Sequence, residues 1–234
     1  MMFNTERKFN ASCSVLADAI RAAWPVCIAY LPIGLAFGVL AQKAGLTPFE
    51  IGLMSVLVFA GSAQFIAVSM ISSQAGVIPV ILTTFMVNLR HFLMSSSMAL
   101  YLGRIGSGKL SLLAYGITDE SFAVNMSRFY GGNWDADRSL GVNHIANLAW
   151  VISTVIGGYF GRLIPAGAFG MDYAMIAMFI SLLVLQIRGR VFLVTAIISG
   201  GLAVMLSLII PGNFYIVAAS ISAAVIGTLL RKRS

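Results

Sequence analysis

Two short polar runs interrupt long apolar stretches of this 234-residue chain: Asn88-Leu89-Arg90-His91 and Thr118-Asp119-Glu120-Ser121. An ionised side chain at the centre of a bilayer costs about 2.5–3.5 kcal/mol even on lenient insertion scales, so it is kept where it is paired, hydrated or used. The simplest use is an ion pair between Arg90 and Asp119 or Glu120 that joins two helices. The richer one is a solute pathway in which that pair breaks and re-forms. Successive helix positions point about 100° apart, so one of the two carboxylates can face Arg90 while the other faces a cavity. Desolvation favours the protonated form of a carboxyl group, the behaviour a proton-coupled carrier needs. One of the pair is therefore expected to take up and release a proton, and spacing does not say which. Asn88 and His91, three apart, share a face that Arg90 leaves. Ser95 follows His91 by one turn, but no Gly-x-Ser-x-Gly turn or oxyanion donor pair accompanies it, so hydrolase chemistry has little to stand on. No metal-ligand spacing and no cofactor fingerprint occurs, and a Walker A loop is absent.

A second signal comes from helix-weakening residues. Pro32 and Gly34 lie near the centre of the first apolar run, with Gly38 one turn on; Gly61, Ser62 and Gln64 lie near the centre of the second. Proline removes a backbone donor and frees carbonyls of the preceding turn. Transporters build midplane sites from paired broken helices, whose N-termini meet a carboxylate and whose freed carbonyls meet an ammonium. The competing reading is close helix packing through Gly34-x-x-x-Gly38 and Gly61-Ser62-Ala63. Both are carried forward, with interruption expected in the first two spans. Asn143, His144 and Asn147 are expected at a membrane interface, and Gly157, Gly158, Gly161, Gly200 and Gly201 on packing faces.

The elements that must hold these residues are membrane helices. Hydrophobic residues make up 59% of the chain and charged ones 10%, with mean hydropathy +0.93; soluble domains carry about 25% charged residues. The expectation is an all-α polytopic membrane protein, a single transmembrane domain over 1–234 with residues 1–20 as a cytoplasmic or interfacial segment. At about 20 apolar residues per crossing, about eight candidate spans emerge: Ala22–Ala41, Phe49–Ser72, Val77–Leu102, Leu110–Ser127, Val142–Gly161, Tyr173–Ile187, Val191–Ile210 and Phe214–Leu230. The sixth, between Asp172 and Arg188, allows only about 22 Å of helix, which leaves seven or six full crossings as alternatives. No internal repeat is strong enough to defend.

Net charge is +7. With eight spans and an inside N-terminus, Arg7, Lys8, Arg21, Arg128, Arg138, Arg188, Arg190, Arg231, Lys232 and Arg233 fall inside. Lys43, Arg104, Lys109 and Arg162 fall outside. That bias places both termini in the cytoplasm. The basic residues flank apolar runs and form no stripe interleaved with aromatics, so nucleic acid is not an expected partner. Cys13 and Cys27 suit neither a metal site nor a structural disulfide.

With these residues in hand, the chain resembles a known family. Trp24-Pro25 with Pro32-Ile33-Gly34-Leu35-Ala36-Phe37-Gly38, Phe59-Ala60-Gly61-Ser62-Ala63-Gln64-Phe65, Asn88-Leu89-Arg90-His91 and Gly116-Ile117-Thr118-Asp119-Glu120-Ser121-Phe122 look like the AzlC/YgaZ branched-chain amino-acid permeases. Asp172-Tyr173-Ala174 with Phe179 is similar to a short span of that family further on. No single motif is specific, but four occur in order. The resemblance implies a large subunit that exports valine, leucine and isoleucine, with methionine and toxic analogues as further ligands, across a bacterial inner membrane. It also implies a small AzlD/YgaH-type membrane partner.

The physics of the buried residues adds the expected site. A substrate carboxylate meets Arg90 or the break near Gly61, and its ammonium meets Gln64, Asn88 or a carboxylate. The side chain enters an apolar pocket including Phe65 or Met94, and protons couple through Asp119 or Glu120. The alternatives are a membrane-embedded enzyme using His91, Asp119 and Glu120 on a lipid-like substrate, and a gated small-solute channel.

Overall fold

A computed structural model describes residues 2–132, 134–163 and 190–209 without a gap, with 173, 180, 183–184, 218–219, 222–223 and 225–228 besides. The candidate spans Tyr173–Ile187 and Phe214–Leu230, and the Asp172 and Phe179 motif, lie largely outside the described residues. Every continuous element described is helical: α1 (Met2–Lys43), α2 (Pro48–Leu57), α3 (Gly61–Ser72), α4 (Val77–Ala99), α5 (Ser107–Tyr115), α6 (Asp119–Tyr130), α7 (Ala136–Phe160) and α8 (Arg190–Ser207). Three of them are long and apolar enough to cross a membrane: the Ser14–Lys43 part of α1, α4 and α7.

The expected interruption of the first span does not occur. Pro25 and Pro32 both lie inside α1 without ending it. The reason is its packing on α7, the most extensive helix–helix interface among the described residues. The two run parallel, with Ala19 against Gly141, Gly38 against Gly157 and Gly158, and Gln42 against Gly161. Glycines set the separation: a methyl group on Gly38 would sit 2.1 Å from the Thr154 carbonyl oxygen, and one on Gly157 would sit 2.3 Å from that of Leu35. A membrane helix held against a neighbour tolerates proline in its interior. Gly200 and Gly201, by contrast, have nothing within 4 Å where a Cβ would stand, so they form no packing face among the described residues.

The second and fourth apolar runs are not crossings. The second is α2 and α3 separated at Val58–Ala60, where Phe59 takes φ +35°. Gln64 Nε2 donates to Ser55 Oγ at 3.2 Å, whereas nine residues of continuous helix would separate those positions by about 13.5 Å. The two helices fold back as a hairpin. The fourth run is α5 and α6, separated at Gly116–Thr118. Here one side chain reaches both arms: Asn143 Nδ2 donates to Leu113 O and its Oδ1 accepts from Asn125 Nδ2, each at 3.0 Å. Twelve residues of straight helix would span about 18 Å. Asn143 is thus fully buried between hairpin and α7, not at the interface expected for it. A hydropathy count cannot separate a crossing from two short helices that return, which is why about eight spans were expected.

The hairpins approach from opposite ends. Pro48, which opens α2 behind a Thr47–Glu50 capping box, lies against Gly158 near the end of α7. At the other end, Lys109 at the start of α5 pairs with Asp137 at the start of α7 (2.5 Å). The α4 helix descends between them, since Tyr101 just beyond it rests on Phe129 and Tyr130 of α6. Hairpin-then-long-helix therefore occurs twice with opposite polarity, α2–α3 with α4 and α5–α6 with α7. Asn88-Leu89-Arg90-His91 of α4 is echoed by Asn147-Leu148-Ala149-Trp150 of α7. That repeat was too faint to defend from sequence. The same geometry corrects the charge map. Lys109, and Arg104 beside it, join Arg128 and Arg138 at the end where Arg138 pairs with Asp18 of α1 (2.9 Å).

Candidate functional site

The tips of the two hairpins meet at the middle of α1, α4 and α7. The Tyr115 hydroxyl donates to Val56 O across the tips, and its ring lies 6.3 Å from that of Phe59. Phe59 is buried in the left-handed region of backbone space, a strained conformation for a bulky residue and one that clusters at working sites. Beside the tips lies a cavity of about 30 Å³ lined by Tyr30, Ile33, Phe59, Ala60, Gly61, Ser62, Arg90, His91, Thr118, Asp119, Glu120 and Trp150.

Arg90 projects from α4 to both hairpins. Its Nη1 pairs with Asp119 Oδ2 at 2.8 Å and its Nη2 donates to Ser62 Oγ. One guanidinium fork thus holds α3 and α6 together. Glu120 faces elsewhere, its Oε2 accepting from the Tyr30 hydroxyl at 2.8 Å. Since that hydroxyl proton is committed, the 2.7 Å contact of Tyr30 with Thr118 has the Thr118 hydroxyl as donor. Asp119 and Glu120 do diverge, but at the start of a helix and not at the middle of a continuous span. They occupy the first two positions of α6, capped by Thr118 and Ser121 in a reciprocal box. Carboxylates there are favoured by the helix dipole.

His91 Nδ1 lies 2.8 Å from Ile117 O. A carbonyl only accepts, so Nδ1 carries the proton. Three buried atoms next to one another along α4, Asn88 Oδ1, Arg90 Nε and His91 Nε2, have no hydrogen-bond partner among the described residues. Native interiors leave few such atoms, and each asks for a role. The Ser95 hydroxyl donates to the His91 carbonyl, away from the ring.

At α3 the N-cap position is Ala60, with no side-chain cap. Its first amide groups therefore lack the capping that Thr118 gives α6. An uncapped helix N-terminus beside a guanidinium is a fit for a carboxylate.

The expected residues divide clearly. Gly61, Ser62, Arg90, His91, Asp119 and Glu120 are brought together around the cavity. Asn88 stands on the same helix two residues before Arg90 and does not line the cavity. Pro32 is exposed and Gly34 is buried against Ser153, so both belong to packing. Gln64 is fully buried behind the site, accepting from Trp150 Nε1 at 2.9 Å and bracing the first hairpin through Ser55. Phe65 stacks edge-on with Phe37 in the core, and Met94 packs in the cluster around Met98. Neither lines the cavity. Sequence reasoning missed Tyr30 and Trp150, whose rings lie 5.2 Å apart, because an aromatic inside an apolar run carries no local signal. The match of Trp150 to His91 in the faint repeat is a signal that could have found it.

The family model described as AzlC protein matches residues 25–164, which hold both hairpins and the cavity. The chain is 30% identical to the branched-chain amino acid transport protein AzlC of Bacillus subtilis, over 92% of this chain and 86% of that one. It is 30% identical to the inner membrane protein YgaZ of Escherichia coli, over 80% and 79%. An uncharacterized membrane protein of Archaeoglobus fulgidus is 31% identical, over 76% and 78%. No solved structure matches the chain.

Proposed function

The chain belongs to the AzlC family of membrane proteins, and from that premise we propose that it is a proton-coupled secondary transporter exporting branched-chain amino acids. It acts as the large subunit beside a small AzlD/YgaH-type membrane partner, in a bacterial inner membrane with both termini cytoplasmic. The observation that carries this is the Arg90 fork, which ties the tips of two oppositely directed hairpins through Ser62 and Asp119.

In this reading the substrate carboxylate competes with Asp119 for Arg90 and is held by the uncapped amides at Gly61 and Ser62. The ammonium group is received by Asp119, released from its partner, or by Glu120. Ile33, Phe59 and Trp150 supply the apolar wall for the branched side chain. Asp119 is neutralised by Arg90, whereas Glu120 meets only a hydroxyl among the described residues. Glu120 is therefore the assigned proton carrier.

A cavity of about 30 Å³ has room for about two water-sized spheres, far less than an amino acid. The conformation is thus a closed one, and transport requires the hairpin tips to part. Breaking the Arg90 fork by substrate is the event that parts them.

The test loads cells with valine-containing dipeptides and follows efflux of free valine with this chain alone, with its small partner, and with neither. Efflux should need the chain and collapse when the proton gradient is dissipated. Glu120→Gln should leave exchange of valine for valine but abolish the response to the gradient. Normal gradient-driven efflux from both Glu120→Gln and Asp119→Asn, at wild-type abundance, would remove the coupling claim.

A further inference from the structure

The two hairpin-and-helix units share a plan but are packed unequally. The α2 arm of the first hairpin is sealed to α7, with Ser55 Oγ 2.9 Å from Thr154 Oγ1 and a Cβ on Gly158 only 2.8 Å from Ile51. At the other end, where α1 begins to pack on α7, a cleft of about 920 Å³ opens between α1 and α6. Asp18, Arg21, Ala22 and Pro25 form its α1 wall; Ala123, Ser127 and Arg128 lie on the other. Val124 also lines it, and Glu120, Val124 and Ser127 recur at the three- and four-residue spacing of one helix face. The cleft thus points along α6 at the central cavity. On α1, Val26 and Tyr30 follow Ala22 at successive four-residue steps of one helix face and are buried.

The charges in the cleft are unequal too. Asp18 is engaged by Arg138 at 2.9 Å. Arg21 and Arg128 form no ion pair among the described residues, and Arg128 only lies over the Trp134 ring, 5.6 Å from its centroid. We propose that this cleft is the access vestibule for the amino acid, with Arg21 and Arg128 receiving its carboxylate before it passes Tyr30 to the central site. This rests on the transport reading above and adds where the solute enters and which residues first hold it. Two guanidinium groups with no ion-pair partner among the described residues concentrate anionic groups at the cleft's mouth. The sealed α2–α7 seam is the closed exit in the same conformation.

The test has a readout that needs no transported solute. In a background with Cys13 and Cys27 replaced by Ser, Ser127→Cys is exposed to two membrane-impermeant thiosulfonates, one bearing a sulfonate and one a trimethylammonium group. Right-side-out and inverted vesicles present the two faces. We expect modification from the face that carries the start of α1, at least fivefold faster for the sulfonate reagent. Arg21→Ala with Arg128→Ala should erase that preference, and Arg→Lys at both should retain it. In valine efflux the double alanine variant should raise KM about tenfold with little change in maximal rate, since capture precedes the step that sets turnover. Equal rates for the two reagents, modification only from the opposite face, or an unchanged KM would each overturn the vestibule. A charge preference together with no valine flux in the parent protein would instead overturn the transport reading and leave the anion-attracting cleft in place.

Discussion

Arg90 is the side chain on which the two hairpins depend, and its shape matters as much as its charge. A lysine would offer a single ammonium at the end of a flexible stem, whereas the guanidinium presents donors in a fixed fork that reaches Ser62 and Asp119 together. Arg90→Lys should therefore cut valine efflux at least tenfold while membrane abundance, followed by immunoblot, stays within twofold. Arg90→Ala leaves Asp119 without its cation, and Asp119→Ala leaves Arg90 without its anion. Removing one member of a partly buried pair costs more than removing both. Thermal unfolding in detergent should accordingly rank Arg90→Ala/Asp119→Ala above either single variant; a double variant less stable than both singles would mean the pair is not structural. The pairing of Arg90 with one of two adjacent acidic residues could be read in the sequence. Which carboxylate it chose could not, because a helix break set that direction, and nothing in the sequence around Tyr30 marks its hydroxyl as the partner of Glu120.

At the scale of helices, packing and interruption exchanged places relative to expectation. Pro32 and Gly34 looked like a broken span, yet α1 runs through them because Gly34 and Gly38 let it press on Ser153, Thr154 and Gly158. Gly38→Ala places a methyl group against backbone, which cannot swing aside, and should destabilise the protein by about 1–3 kcal/mol. Gly200→Ala meets open space and should leave the detergent melting temperature unchanged within error. A Gly38→Ala protein as stable as wild type would refute the close α1–α7 seam. Gly61 and Ser62 were rightly placed near a break. The break between Gly116 and Thr118 was not foreseen, although Thr118 and Ser121 have the spacing of an N-cap box. Inside a long apolar run the cap signal was outweighed by hydropathy. Asn143 shows the same limit, since its role follows from bonds to Leu113 and Asn125 that no local pattern encodes.

For the whole molecule, membrane residence was legible from composition and the family from four ordered motifs, while topology depended on recognising the hairpins. With two apolar runs returning to the side they came from, Arg104 and Lys109 move to the end that holds Arg21, Arg128 and Arg138, which sharpens the asymmetry of positive charge. Single cysteines at Gly106 and Gly45 should then react with impermeant reagents from opposite membrane faces, Gly106 from the face bearing the N-terminus. Reaction of both from one face would contradict the hairpin topology. The central claim is that a branched-chain amino acid binds where Arg90 joins the two hairpin tips, and binding of radiolabelled leucine to the purified chain tests it most directly. Binding should be saturable, displaced by valine and isoleucine but not by glutamate, lost in Arg90→Ala and kept in Gly200→Ala. Leucine bound with equal affinity by wild type and a folded Arg90→Ala protein would contradict the claim.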